Sequence, residues 1–256
     1  MTDMLDIQIG DDRIARLTLS QPARRNAVTA AMWAALPGTL DDLERAGPKV
    51  LIVQGEGAHF SAGADISEFG TLYATPESSA RISADILAAL DALAAFPVPT
   101  VASIRGACVG GGLGLALACD IRFADNTARF AITPARLGLV YPFSDLARLV
   151  EAIGAPHAKD MLFSARTIKA KRAEKTGLVN KVVKPDELET EVATYAAGLA
   201  AQSTQSARAM KRLFAAYAAG QRQQSDETRT LFRNGFSSTD FREGYTAFME
   251  KRPPAF

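Results

Sequence analysis

The stretch from Val101 to Asp120 constrains the chain more than any other. A short apolar run, Val101-Ala-Ser-Ile104, leads into Arg105-Gly106. Three consecutive glycines follow at Gly110, Gly111 and Gly112, with a fourth at Gly114, and the chain then reads helical through Leu115, Leu117 and Ala118 to Cys119-Asp120. Glycine lets the backbone take conformations other residues avoid, and lets a ligand come close to bare N–H groups. The start of a helix leaves its first N–H groups unpaired and partly positive. Such a place suits an oxyanion, a phosphate or a polarised carbonyl. The glycines equally allow simple close packing of helix on strand, and the stretch alone leaves both readings open. It is not a dinucleotide fingerprint. Counting from Gly110 or Gly112, the sixth position is Leu115 or Leu117, and no Walker lysine and hydroxyl follow.

The rest of the chain alternates strands and helices before turning helical. Ile7-Gln-Ile9 and Ile14 to Leu19 read as paired strands around a Gly10-Asp-Asp12 turn. Thr29 is placed to cap a helix through Met32, Trp33, Leu36, Leu40 and Leu43, which Pro37 should kink or shorten. Lys49 to Val53 reads as a buried strand, and Gln54 to Asp65 as a turn-rich loop. Pro76 to Ala95 reads as a helix with Ile82, Ile86, Leu87, Leu90 and Leu93 on one face. Strands are predicted at Asp120–Ala124, Arg129–Ile132 and Val179–Val183. Ser144 or Asp145 is placed to cap a helix that Gly154 stops and Pro156 restarts. Ala170 to Lys175 reads as a short helix. Beyond Pro185 the pattern is helical, with breaks near residues 202–204, 220 and 237–240. This is an α/β chain with a helical C-terminal part.

Composition narrows the function classes. Of 256 residues, 48% are hydrophobic and the net charge is +1, so neither nucleic acid nor an anionic membrane is expected as a main partner. The two cysteines, Cys108 and Cys119, flank the glycines in apolar surroundings and read as small core residues of a reducing compartment. The first residues, Met1 to Asp6, are acidic and lack the basic and apolar regions of a signal peptide. The expected location is cytoplasmic.

A second motif pairs with the glycines. Phe60-Ser-Ala-Gly-Ala-Asp-Ile66 follows a strand and a Gly-rich loop and also reads as a tight turn into a helix. Two such turns, each offering one backbone N–H, can converge on one carbonyl oxygen as an oxyanion hole. Asp65 is also well placed simply to cap the helix it precedes. This motif, followed about 45 residues later by Gly-x-x-x-Gly-Gly-Gly and then Cys-Asp-Ile, resembles the crotonase superfamily of enoyl-CoA hydratases and isomerases. Further matching segments are Arg136-Leu-Gly-Leu139, Ala147-Arg-Leu, Ala173 to Val179, Phe241-Arg-Glu-Gly-Tyr and Phe248 to Arg252, so the resemblance covers nearly the whole chain.

The resemblance implies a crotonase-like spiral of β-β-α turns over residues 1–185. A helical C-terminal trimerisation region over 186–256 would then form a homotrimer or dimer of trimers. It implies an acyl-CoA thioester as substrate, in the manner of fatty acid metabolism, with coenzyme A entering as part of that substrate and no separate cofactor or metal. By position, the N–H groups of Ala64 and Gly111 would hold the thioester oxygen, with Gly110 beside them. Ala62, Asp65, Ile66 and Ser67 would lie along the adenine and pantetheine, and Arg24 would approach the CoA phosphates. Two preorganised donors of this kind stabilise an enolate, one being worth roughly 3 kcal/mol.

The resemblance does not extend to the acid and base. Where hydratases of the family carry glutamates, this chain has Gly114 and, near the second position, Pro134; where many isomerases carry an acid it has Pro142. The substitutes are Tyr141 and Asp145. Tyr141 resembles the tyrosine of family decarboxylases acting on malonyl-type thioesters, which carry a histidine where Ala64 stands. It also reads as a pocket-lining aromatic, and Asp145 as a helix cap. Glu68 reads either as lining the mouth of a cleft or as a solvated charge. His59 reads as a surface loop residue rather than a base. Three functions therefore stay open: an enoyl-CoA hydratase/isomerase working through an enolate, a decarboxylase or thioesterase using Tyr141, and a non-catalytic acyl-CoA binder.

Overall fold

A computed structural model describes residues 4–256; part of the N-terminal segment Met1–Asp6 lies outside them. The strands β1 (Leu5–Ile9), β2 (Ile14–Leu19), β3 (Val50–Gly55), β4 (Thr100–Ile104), β6 (Ile121–Asp125) and β9 (Lys181–Val183) form one sheet in the order β1-β2-β3-β4-β6-β9. The first pair is antiparallel, as the Gly10-Asp-Asp12 turn requires, and the others are parallel. β4 and the first four residues of β3 are buried on both faces, as parallel strands covered on both sides must be. A smaller sheet joins β5 (Ala107–Val109), β7 (Arg129–Ala131) and β8 (Ile168–Lys169). β5 and β8 are three and two residues long, too short to leave a periodic pattern.

Helices cover the sheet. α1 (Ala30–Arg45) starts at Thr29, whose side chain accepts from Met32 N–H, and it runs through Pro37 for 16 residues rather than ending there. After α2 (Phe69–Leu72), α3 (Pro76–Ala94) starts in a capping box made by Thr75 and Ser78. These pack on one face around Trp33, Leu36, Leu90 and Leu93, together with the buried α4 (Gly111–Ala118). α5 (Phe143–Ser164) contains the expected break at Gly154. It begins at Pro142, so Ser144 and Asp145 lie inside its first turn and do not cap it. Their side chains are therefore free for other contacts.

α6 (Ala170–Thr176) leads into β9. α7 (Leu188–Ala200) covers the opposite face of the sheet, packing Leu188, Val192 and Ala196 on Ile14, Val50, Val101 and Phe123. α8 (Thr204–Ala218), α9 (Asp226–Phe236) and α10 (Thr239–Glu250) follow with the breaks where the sequence places them. Among the described residues no helix is long and apolar enough to cross a membrane.

Candidate active site

The turn at residues 60–65 is held from both sides by backbone hydrogen bonds. On one side Phe60 N–H donates to Arg105 O, Ser61 N–H to Ala107 O, and Val109 N–H back to Ser61 O. On the other, Val28 N–H donates to Gly63 O, Asp65 N–H to Val28 O and Ala62 N–H to Arg25 O. The Ser61 hydroxyl donates to Asn26 O and accepts from Gly63 N–H. Gly63 has φ +96°, and a Cβ there would meet Val109 O at 2.7 Å, so no other residue fits.

This clamp brings the two motifs together. An ideal Cβ on Gly63 would stand 3.3 Å from Gly111 N, and one on Gly111 would stand 3.7 Å from Ala64 N. Among the described residues, the N–H groups of Ala64 and Gly111 donate to nothing. Gly111 is the first residue of α4, whereas Gly110 turns the chain with φ +54° and donates to Ala131 O. At the other end of α4, the buried Arg122 guanidinium donates to Cys119 O (2.8 Å), Ala116 O (3.5 Å) and Leu178 O (2.7 Å). A cation on the last carbonyls of a helix complements its dipole, and the sequence alone gave no reason to pick Arg122 out.

The residues expected along the CoA lie on the rim of this turn. Asp65 does cap: its carboxylate accepts from Ser67 N–H at 3.0 Å and from the Ser67 hydroxyl at 2.6 Å. Arg24 pairs with Asp65 and donates to the Ser67 hydroxyl, leaving 57% of its own side chain exposed. The Ser67 hydrogen bond and the Arg24 charge outweigh burial and hold the Asp65 carboxyl below its ordinary range. Ile66 is exposed and Ala62 half-buried.

Glu68 follows the first of its two sequence readings, and His59 departs from its own. Glu68 is half-buried and accepts from Ala30 N–H at 2.8 Å, satisfying the first turn of α1 instead of standing in solvent. It borders a small cleft together with Ala64, Trp33, Leu72 and Ile86. His59 is half-buried too, and its Nδ1 accepts from Ala107 N–H at 3.1 Å, pinning the start of β5. His157 borders a separate cleft with Arg166 and Arg172 that shares no residue with this site.

Asp145 and Tyr141 come to the site from α5 and the segment before it. Asp145 is 2% exposed. Its Oδ2 lies 3.4 Å from the position a Cβ on Gly114 would take, beside Leu90. Its Oδ1 accepts from Arg148 at 3.1 Å, and Arg148 also binds Asp91 on α3. Burial raises the Asp145 carboxyl above its ordinary range, with Arg148 opposing. Tyr141 packs against the core with its hydroxyl buried and unpartnered, and burial, then the Asp145 charge, pushes its phenol up.

Sequence reasoning missed Trp33, Arg148 and Ser144 as site residues. Trp33 is the chain's sole tryptophan, and its Cζ2 would lie 3.0 Å from a Cβ on Gly111. A tryptophan four residues after a cap was legible only as core. Arg148 was legible as an i+3 partner of Asp145. Burial pushes the Cys108 thiol up and the Cys119 thiol to about 12, consistent with two inert core residues.

Comparison with known proteins agrees with this architecture. The family model for enoyl-CoA hydratase/isomerase matches residues 10–256. A Bacillus subtilis protein named as a probable enoyl-CoA hydratase is 34% identical over 249 residues, covering 96% of each chain. The crystal structure of a Hyphomonas neptunium protein assigned to the enoyl-CoA hydratase/isomerase family superposes with a TM-score of 0.96 at 41% identity, over 100% of this chain and 98% of that one. An enoyl-CoA hydratase/carnithine racemase from Magnetospirillum magneticum gives 0.94 at 33% identity, over 100% and 96%. A spiral α/β chain with a helical C-terminal region, matched along its length by these proteins, is an enzyme of the enoyl-CoA hydratase/isomerase family, the crotonase superfamily.

Proposed function

We propose that this enzyme acts on an acyl-CoA thioester through an enolate, with the thioester oxygen held by the N–H groups of Ala64 and Gly111 and Asp145 as the acid–base group. The observation that carries this reading is the Asp145 carboxylate beside Gly114. The resemblance puts a hydratase glutamate on residue 114, and here a second helix supplies a carboxylate about as far from that Cβ position as a glutamate would reach. A buried carboxyl raised above its ordinary range holds a proton more readily than a free aspartate, which suits it to exchange one with a substrate. The donors are held by the flanking clamp before any substrate arrives, so little reorganisation accompanies charge development. Arg24, Ala62, Asp65, Ile66, Ser67 and Gly110 form the rim along which the CoA portion would run. No metal or redox group is needed for this chemistry.

Decarboxylation of a malonyl-type thioester keeps one supporting observation, the unpartnered Tyr141 hydroxyl. The Asp145 carboxylate close to it counts against a second negative charge there. The exposed apolar side chains of α8, α9 and α10, among them Phe214, Phe232, Phe236 and Phe248, support self-association into a trimer or dimer of trimers.

The test is turnover of crotonyl-, 3-enoyl- and malonyl-CoA by wild type, Asp145→Asn and Tyr141→Phe. Wild type is expected to hydrate or isomerise an enoyl-CoA, and Asp145→Asn to lose on the order of 10²–10⁴ in kcat. Enoyl turnover that survives Asp145→Asn rejects the assigned acid–base group. Malonyl turnover lost in Tyr141→Phe supports the decarboxylase, and tight binding without turnover of any thioester supports the non-catalytic reading.

A further inference from the structure

Arg148 ties the candidate acid–base group to a second helix. Its Nη1 donates to Asp145 Oδ1 at 3.1 Å and its Nη2 to Asp91 Oδ1 at 2.5 Å. Asp145 and Arg148 sit one turn apart on α5, and Asp91 sits on α3. The other oxygen of Asp145, Oδ2, is the one that faces the Cβ position of Gly114. A guanidinium is flat, with its donors in a fixed fork, so holding a carboxylate at each end leaves the Asp145 side chain little freedom to turn. The three side chains are graded in exposure, 3% for Asp145, 17% for Arg148 and 62% for Asp91. A pair with a partner as exposed as Asp91 adds little stability by itself. Removing Arg148, in contrast, leaves the Asp145 charge buried and unpaired.

We propose that Arg148 is the positioning residue for the acid–base group, holding one oxygen of Asp145 so that the other is aimed at the space beside Gly114, with Asp91 fixing Arg148 from α3. This rests on the acid–base reading of Asp145 above and adds the group that keeps its carboxylate aimed and charged. Arg148 opposes the burial that raises the Asp145 carboxyl, so without it the carboxyl stays protonated to higher pH. Asp91 acts in the opposite sense, its like charge raising Asp145. The Tyr141 phenol, which feels the Asp145 charge, is kept neutral by burial. α4, on the Gly114 side, carries no ionisable side chain, and Arg136 in the turn before α5 is exposed to solvent.

A direct titration and turnover test this together. The Asp145 carboxyl carbon, assigned by its absence from Asp145→Asn, would be titrated by 13C NMR in wild type, Arg148→Gln, Arg148→Lys and Asp91→Asn. The pH profile of kcat on crotonyl- and 3-enoyl-CoA would be measured on the same proteins. Arg148→Gln is expected to move the titration, and the limb of kcat that follows it, upward by about one pH unit or more, with kcat changing more than KM. Arg148→Lys keeps the charge but cannot bridge two carboxylates. Its titration should stay near wild type while kcat falls by up to about 10²-fold. Asp91→Asn breaks the same tie between α3 and α5, yet should leave the titration in place or move it downward. Were the tie only a strut, Arg148→Gln and Asp91→Asn would lose thermal stability alike with the titration unmoved, and that result overturns the proposal. Wild-type kcat in folded Arg148→Gln and Arg148→Lys overturns it too, with the acid–base reading left standing if Asp145→Asn is inactive. If Arg148→Gln fails to fold, kcat and the titration in Arg148→Lys and Asp91→Asn decide. Enoyl turnover that survives Asp145→Asn, or none by wild type, overturns the acid–base reading itself and this proposal with it.

Discussion

Two carboxylates near the site are pushed in opposite directions, and their pH signatures separate. Asp65 is held below its ordinary range by Ser67 and Arg24. Its contribution to stability is therefore present above about pH 4, the unfolded value, and is lost as pH falls through the folded one. Asp145 is raised by burial, so the folded state binds its proton more tightly than the unfolded chain. Stability then declines as pH rises from the ordinary carboxylate value through the folded one. Thermal melts from pH 2 to pH 8 should show Asp145→Asn gaining on wild type as pH rises above about 4, while Asp65→Asn loses ground to wild type as pH rises toward about 4 and holds a constant difference beyond it. An Asp145→Asn difference that is flat with pH would mean that the carboxyl carries no burial penalty. Asp65 was legible in the sequence because caps are local. Asp145 was legible as a candidate only. Its nearness to Gly114 depends on how α5 crosses α4, and no pattern along the chain encodes that.

The glycines of α4 do different work. A Cβ on Gly112 would meet the Ser61 Cβ and carbonyl oxygen at 2.7 Å, whereas one on Gly114 would find Asp145 and Leu90 at 3.4 Å. Gly112→Ala is therefore expected to push α4 away from the 60–65 turn, costing about 1–3 kcal/mol in urea unfolding. Gly114→Ala should change stability by less than about 1 kcal/mol, helped by the better helix propensity of alanine. Equal penalties at both positions would show that the contact with Ser61 does not set the seat of the helix. The long elements α1 and α3 were legible because cap and apolar stripe coincide. β5 and β8 were not, since a two- or three-residue strand exists only through its partners. Pro37 misled because its penalty is set against the packing of Trp33, Leu36 and Leu40 on the sheet, and the packing prevails.

At the scale of the molecule, the apolar surface of the C-terminal helices sets the expected assembly. Phe232, Phe236, Phe241 and Tyr245 stack in sequence along α9 and α10, with successive centroids 5.3, 5.8 and 6.4 Å apart, and all four are exposed. Light scattering on a sizing column should give three or six times the monomer mass, and Phe236→Glu should lower it. A monomeric wild type would show that this face serves another purpose. The overall α/β plan was legible from the alternation of strands and helices, because each covered strand writes its burial into its own residues. The clamp around residues 60–65 has a kinetic consequence. It joins Asn26 to Ser61 across 35 residues and His59 to Ala107 across 48, so loop closure must precede it. A refolding chain should regain its far-ultraviolet helix signal first. The fluorescence of Trp33, which reports its docking on Gly111, and thioester affinity should return together and later.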